Sequence, residues 1–253
     1  MRGDSGRVFA VGQALSQGAL WAGPLRPPSV KLTCAVLAAA AALAASGQVA
    51  TEVNRRYQTP EQRASIGNGL GDPGRDARDK PRELVASMQL RAGMTVADVG
   101  TGVGYMLPFL DAAVGPAGRL IAEDIFPDFV DRARERAAKN GLANVDFVLG
   151  TETDPKLPAG KVDAVLVLDT YHHFDYPARM LAGIAQGLAP GGRLFIVDYY
   201  RRPNAMPGQD AMHHIRLDMD GVVKEVESNG FKLAWQREHI PGSQYIACFT
   251  KSR

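Results

Sequence analysis

Cysteine is nearly absent: Cys34 and Cys248 are the two in 253 residues. Cys34 falls in a leader-like segment, so a processed chain keeps one cysteine and forms no internal disulfide. Cys248 sits in YIACFTK, an apolar strand-like run that suits a small core residue better than a nucleophile. No paired cysteine motif exists, and the 5 histidines are scattered in role, so no metal centre is expected. Strong charge of one sign is missing too. Against the net +2, the segment before residue 46 alone carries about +3, with Arg2, Arg7, Arg26 and Lys31 against Asp4. The remainder, at about −1, offers no general attraction for nucleic acid, and no nucleic-acid partner is expected. Length and apolar content suit one substantial core.

What the N-terminal region does have is a leader. In KLTCAVLAAAAALAASGQVA, Lys31 gives a positive start, Leu32 to Leu43 is apolar, and Ala42-Leu43-Ala44 has small-x-small spacing. The segment reads as an export signal, which predicts a periplasmic or exported protein. An uncleaved inner-membrane anchor is the alternative, although the run is shorter than the ~20 residues of a span unless it extends through Val49. Residues 1–29 are long and proline-broken for a signal's start. They read as an extension outside native translation, with a GTG start at Val30. The predicted organisation is a leader over 1–50 (signal or anchor over 30–45), a polar segment over 51–80 and a folded domain over 81–253.

From Thr51 to Lys80 the chain is polar, without sustained periodicity, and GNGLGDPGRDARDK reads as loop. Asp79 offers an N-cap and Pro81 a first turn for a helix through RELVASMQL. Beyond it, apolar strands alternate with helices: TVADV, RLIAED, NVDFVLG, VDAVLVLD and GGRLFIVDYY, separated by helical LPFLDAAV, PDFVDRARERAAK and PARMLAGIAQGL. VDAVLVLD is apolar on both faces, as a central covered strand is. MDGVVKEVESNG adds a helix, and FKLAWQRE and QYIACFTK pair as a hairpin. The pattern predicts an α/β fold with a Rossmann-like doubly wound sheet, mostly parallel with an antiparallel C-terminal hairpin, and helices on both faces. Ligands of such sheets bind beyond the strands' carboxyl ends.

At the first strand's end stands VADVGTGVGY. Its glycines are Gly100, Gly102 and Gly104, and Tyr105 stands where a dinucleotide fingerprint requires its last glycine. No lysine follows, which excludes a phosphate-binding Walker loop. Asp98, just ahead of the turn, suits a cationic ligand better than an anionic one.

VADVGTGVGY, EDIF, LPAGKVDAVLVLDTYHHF and LAPGGRLFIVDY, in this order, resemble class I S-adenosylmethionine-dependent methyltransferases from about Arg75 to the C-terminus. DPKLP, DTYHHF and the late RLD resemble a bacterial subgroup whose members often carry signal peptides. The resemblance implies S-adenosylmethionine as cofactor. It implies that Asp98 and the backbone of Gly100, Thr101, Gly102 and Gly104 bind the methionine end. Asp124 would bond the ribose hydroxyls, with Glu123 its competitor. Asp154 would contact the adenine amino group, with Glu152 as the weaker candidate, and Asp169 would face the transferring methyl.

His172 and His173 follow Asp169, and one of them is expected to orient or deprotonate the acceptor. His213 and His214 could cover the acceptor, and Tyr171, Tyr199 and Tyr200 could form its wall. The expected function is methyl transfer to a small-molecule or lipid-like acceptor. A protein methyltransferase, or a non-catalytic nucleotide-binding domain of the same fold, remains the alternative.

Overall fold

The computed structural model describes residues 48–252. The leader, its export or anchor reading, Cys34 and the proposed start at Val30 lie outside the described residues. No helix among the described residues is long and apolar enough to cross a membrane.

Seven strands form one sheet: β1 (Thr95–Val99), β2 (Arg119–Asp124), β3 (Val145–Leu149), β4 (Val162–Leu168), β5 (Leu188–Tyr199), β6 (Phe231–Ile240) and β7 (Gln244–Lys251). Their order is β3-β2-β1-β4-β5-β7-β6. The first five are parallel, and β7 runs antiparallel between β5 and β6. The order reverses between β1 and β4, so their carboxyl ends flank the crevice.

Strand alternation divides the core in two. On β4, Val165 and Val167 face one side, where Met180, Leu181 and Ile184 of one helix and Val222 and Val226 of another cover them. Ala164 and Leu166 face the other side, under Leu84 and Met88, Leu107 and Leu110, and Ala133 and Ala137. Burial of both faces is why β4 is apolar throughout. Cys248 lies fully buried in β7 as a core residue.

The nine helices among the described residues are α1 (Thr51–Asn54), α2 (Pro60–Leu70), α3 (Arg75–Asp79), α4 (Pro81–Met88), α5 (Leu107–Val114), α6 (Pro127–Lys139), α7 (Pro177–Gly187), α8 (Ala211–His214) and α9 (Met219–Ser228). Pro108 sits in the first turn of α5, where its missing N–H costs nothing.

Two expectations are corrected. The 51–80 segment is largely helical rather than loop. Thr59 starts α2 through a capping box with Gln62. The helix is held from outside: Arg63 Nε donates to Asp128 of α6 at 2.8 Å, and Arg132 donates to Asn68. The second correction concerns Asp79, which does not cap α4. Lys80 takes that place with φ of 45°, and Asp79 instead accepts from Arg75 Nε at 2.7 Å and Arg78 Nε at 2.9 Å.

Arg75 is buried, and its guanidinium stacks over the Tyr105 ring at 4.1 Å. Its other carboxylate contact is Asp169, at 3.5 Å. Asp79→Ala leaves that buried cation with only the longer carboxylate contact beside the Leu70 carbonyl, and urea unfolding should register a loss of about 3 kcal/mol. A loss below about 1 kcal/mol would mean that Arg75 is solvated like a surface residue.

Candidate active site

The carboxyl ends of β1 to β4 open into a cavity of about 290 Å³. Each strand delivers an acid or its turn: Asp98 within β1, Glu123-Asp124 closing β2, Thr151-Glu152 after β3 and Asp169 after β4.

The glycine loop is pinned to the end of β2. Gly100 N–H and Thr101 N–H both donate to the Glu123 carbonyl, at 2.9 and 2.8 Å. Gly102 N–H donates to Asp124 Oδ2 at 2.9 Å, and Phe126 N–H to Asp124 Oδ1 at 3.0 Å. Gly100 and Gly102 take φ of 73° and 54°, values that favour glycine. Gly104 does something else. It does not line the cavity; a side chain there would meet Leu107 and Ala133, so its bareness lets the loop pack against α6.

Asp98, Glu123 and Asp124 are buried with little positive charge beside them, and Asp169 is part-buried beside Arg75. Asp98 accepts from the Thr101 hydroxyl at 2.7 Å, yet burial pushes its carboxyl up to about 6. Burial raises Asp124 to about 6 despite its two loop N–H donors. Asp169, at φ of 51°, accepts from Gln244 at 2.7 Å. Burial lifts it to about 7 against the opposing pull of Arg75. Glu123 is raised well above the usual range by burial and then by Asp124. Its Oε2 accepts weakly from Gly100 N–H at 3.3 Å, and its Oε1 is buried without a partner among the described residues. Asp124 thus sits directly under the loop, while Glu123 reaches back toward Gly150.

Asp154 is not a lining residue. A bridge between Thr151 and Asp154 tightens this turn, the Asp154 carboxylate accepts from Lys156 N–H, and Thr151 and Glu152 meet the cavity instead.

His172 and His173 occupy a one-turn 3-10 helix after β4. Their ring centroids lie 4.1 Å apart, but their surroundings differ. His172 is buried behind the cavity, with Nδ1 at 2.7 Å from Asp198 Oδ1. Burial opposes its protonation, and the Asp198 carboxylate outweighs this, so its pKa is raised. His173 lines the cavity. Burial, followed by the His172 and His214 imidazoles, holds it well below the ordinary histidine value.

Tyr171 is core, donating its hydroxyl to Glu225 at 2.7 Å, and Tyr199 and Tyr200 pack against the Ala205, Met206, Ala211 and Ile215 cluster. None of the three lines the cavity. The aromatic wall is Tyr57, Phe126 and Phe129, with Tyr57 stacked on Phe126 at 5.9 Å. Tyr57 and Asn54 come from the polar N-terminal segment, where no periodicity announced them. Asn54 Nδ2 donates to the His173 carbonyl at 2.9 Å and to Asp175 at 3.1 Å. The site therefore offers carboxylates short of counter-charge, a bare loop with N–H groups already committed, and an aromatic wall. That set suits a cationic ligand with hydroxyls and a flat ring, and offers no free N–H cradle for phosphates.

Comparisons with known proteins agree. A family model described as a methyltransferase domain matches residues 97–196. The chain is 31% identical to an arsenite methyltransferase of Halobacterium salinarum, over 53% of this chain and 32% of that one. It is 36% identical to a nocamycin O-methyltransferase of Saccharothrix syringae, over 46% of this chain and 42% of that one. The chain thus spans less than half the length of either relative. A SAM-dependent methyltransferase structure from Aquifex aeolicus superposes with a TM-score of 0.68 and 27% identity, covering 73% of this chain and 96% of that one. Family match and fold point the same way: residues 97–196 match a methyltransferase domain, on a sheet whose architecture a SAM-dependent methyltransferase structure shares.

Proposed function

We propose that this protein transfers the methyl group of S-adenosylmethionine to a small-molecule or lipid-like acceptor. The observation that carries this reading is the roof: Asn54 and Tyr57 close the cavity over the end where Asp169 and His173 lie. A roofed cavity admits a small acceptor more readily than a peptide segment of a folded protein, and nothing in the geometry favours the protein-acceptor alternative. The leader's composition supports export, and the proposed location is periplasmic with an inner-membrane anchor as the alternative.

When bound, S-adenosylmethionine supplies an electrophilic methyl on a sulfonium, with a neutral thioether as leaving group. The chain's residues do the rest. Asp98 and Asp169 supply negative charge for the ammonium and sulfonium. Asp124 accepts from the ribose hydroxyls with the lone pairs its two N–H donors leave free. Glu152 serves the adenine end in place of Asp154. His173, at the roofed end, orients the acceptor, while Asp198 fixes His172 behind it. Alignment and exclusion of water contribute most of the rate gain in such a transfer.

Labelled S-adenosylmethionine should yield S-adenosylhomocysteine when the native host's low-molecular-weight extract is added, and not without it. His173→Gln should cut that turnover by about 10²-fold, the cost of a misplaced acceptor, with cofactor affinity within a few-fold. Undiminished turnover would remove His173 from the acceptor end.

Asp124→Ala should weaken cofactor binding by about 1–3 kcal/mol in calorimetry, whereas Glu123→Gln should change it little. The reverse order would make Glu123 the ribose acid.

The pH dependence follows from Asp98 and Asp124, both raised to about 6. Their folded-state values exceed their unfolded ones, so their ionisation costs the free protein stability as pH rises from about 4 to about 6. A cationic cofactor binds the ionised forms. Affinity should therefore be weaker near pH 5 than near pH 8, by on the order of tenfold. A flat profile would mean that neither carboxylate meets the cofactor's charge.

A further inference from the structure

His172, His173 and His214 come together although the sequence separates the third from the first two. Each offers a ring nitrogen, and the three nitrogens lie within 4.8 Å of one another. The ring centroids are 4.1, 5.0 and 5.6 Å apart. Three imidazoles on one tetrahedral ion hold their nitrogens about 3.4 Å apart, given metal–nitrogen bonds of roughly 2.0–2.1 Å. A modest contraction about a common centre joins the two arrangements.

Two of the rings are already set as ligands by their outer contacts. A carboxylate only accepts, so His172 Nδ1 carries the proton it donates to Asp198 Oδ1 at 2.7 Å. Asn54 leads to the same result for His173. Both protons of its amide are committed, to the His173 carbonyl and to Asp175. Its Oδ1 therefore faces His173 Nδ1, at 2.8 Å, and accepts from it. In both rings the lone pair is left on Nε2. This is the arrangement by which metal-ligating histidines are held, the far nitrogen donating to a carboxylate or an amide oxygen. Among the described residues, the hydrogen-bond partner of His173 Nε2 is the Tyr57 hydroxyl, at 3.5 Å, a long contact that rotation of the hydroxyl releases.

We propose that His172, His173 and His214 bind one divalent d-block cation, of the Zn²⁺ or Co²⁺ class, at the acceptor end of the cavity. Three neutral imidazoles suit these ions rather than magnesium or calcium, which take oxygen ligands. Three protein ligands leave a fourth position open. Because His173 lines the cavity, that position is available to an acceptor oxygen, hydroxyl or phenol, which the ion would hold beside the methyl group. This last role rests on the methyltransferase reading; the binding of the ion does not.

The test uses untagged full-length protein, stripped with chelator and titrated with Zn²⁺, with metal content measured after dialysis. One tightly held Zn²⁺ per chain is expected, and Co²⁺ in its place should give visible d–d absorption with nitrogen ligands. Buried His172 is a poor first target, since its replacement risks the fold. His214 is half-buried, and His214→Ala should weaken Zn²⁺ binding at least tenfold without loss of the folded signal. Asp198→Asn should weaken it by roughly 10–100-fold. His213→Ala, removing the exposed neighbour, should leave it unchanged. If wild type retains no more Zn²⁺ than His214→Ala, the site does not exist. An S-adenosylmethionine titration on the same samples separates the two readings: cofactor binding without zinc overturns the metal site alone, and zinc without cofactor binding overturns the methyltransferase reading alone.

Discussion

Four carboxylates, Asp98, Glu123, Asp124 and Asp169, are gathered at the strand ends with Arg75 as the buried guanidinium among them. That imbalance is the constraint on which the rest depends. Burial raises all four above their ordinary range, so the free protein holds them at a cost in stability. Asp124 offsets part of that cost locally, since its carboxylate accepts from Gly102 N–H of the glycine loop, whereas the Glu123 carboxylate accepts only weakly from Gly100 N–H. The remainder is met only when positive charge enters. A sulfonium and an ammonium do this, and a pyrophosphate would deepen the deficit. The choice between an adenosyl sulfonium and a dinucleotide is therefore made by charge before it is made by shape.

The same deficit explains the arrangement of the N-terminal segment. Arg75 reaches Asp169 from α3 and pairs with Asp79 in its own helix. Asn54, Tyr57 and Arg63 come from the preceding turns. Through Asn54 the segment touches His173, and through Arg63 it grips α6 at Asp128. Helix α2 has two internal glycines and no apolar stripe, so it depends on these contacts more than on its own propensity. Roof and site are one electrostatic unit.

This division marks what was legible in the sequence. The strands of the central sheet and the helices over it are written in apolar periodicity, because β4 must be buried on both faces and α6 on one. The glycine loop and the acid ending β2 are equally plain, since they are local in sequence. Elements that acquire their shape from distant partners are not. Residues 51–80 read as loop because their helices are fixed by Asp128 and the site. Asp154 reads as the acid after β3, but the Thr151–Asp154 bridge lies off the cavity that Glu152 lines. Gly104 reads as part of a ligand cradle, and the close approach of Ala133, distant in sequence, is not encoded in the loop. His214 meets His172 and His173 only because α8 folds back over the end of β4, and nothing in the spacing of the three residues encodes that.

The central claim is that the strand-end cavity is built for a cationic adenosyl ligand. Calorimetric titration of the purified full-length chain with S-adenosylmethionine, beside an identical titration with NAD⁺, tests it most directly. Saturable one-to-one binding of S-adenosylmethionine with no detectable heat from NAD⁺ is the predicted result. Binding of NAD⁺ with equal or greater affinity, or no binding of S-adenosylmethionine at all, would contradict it.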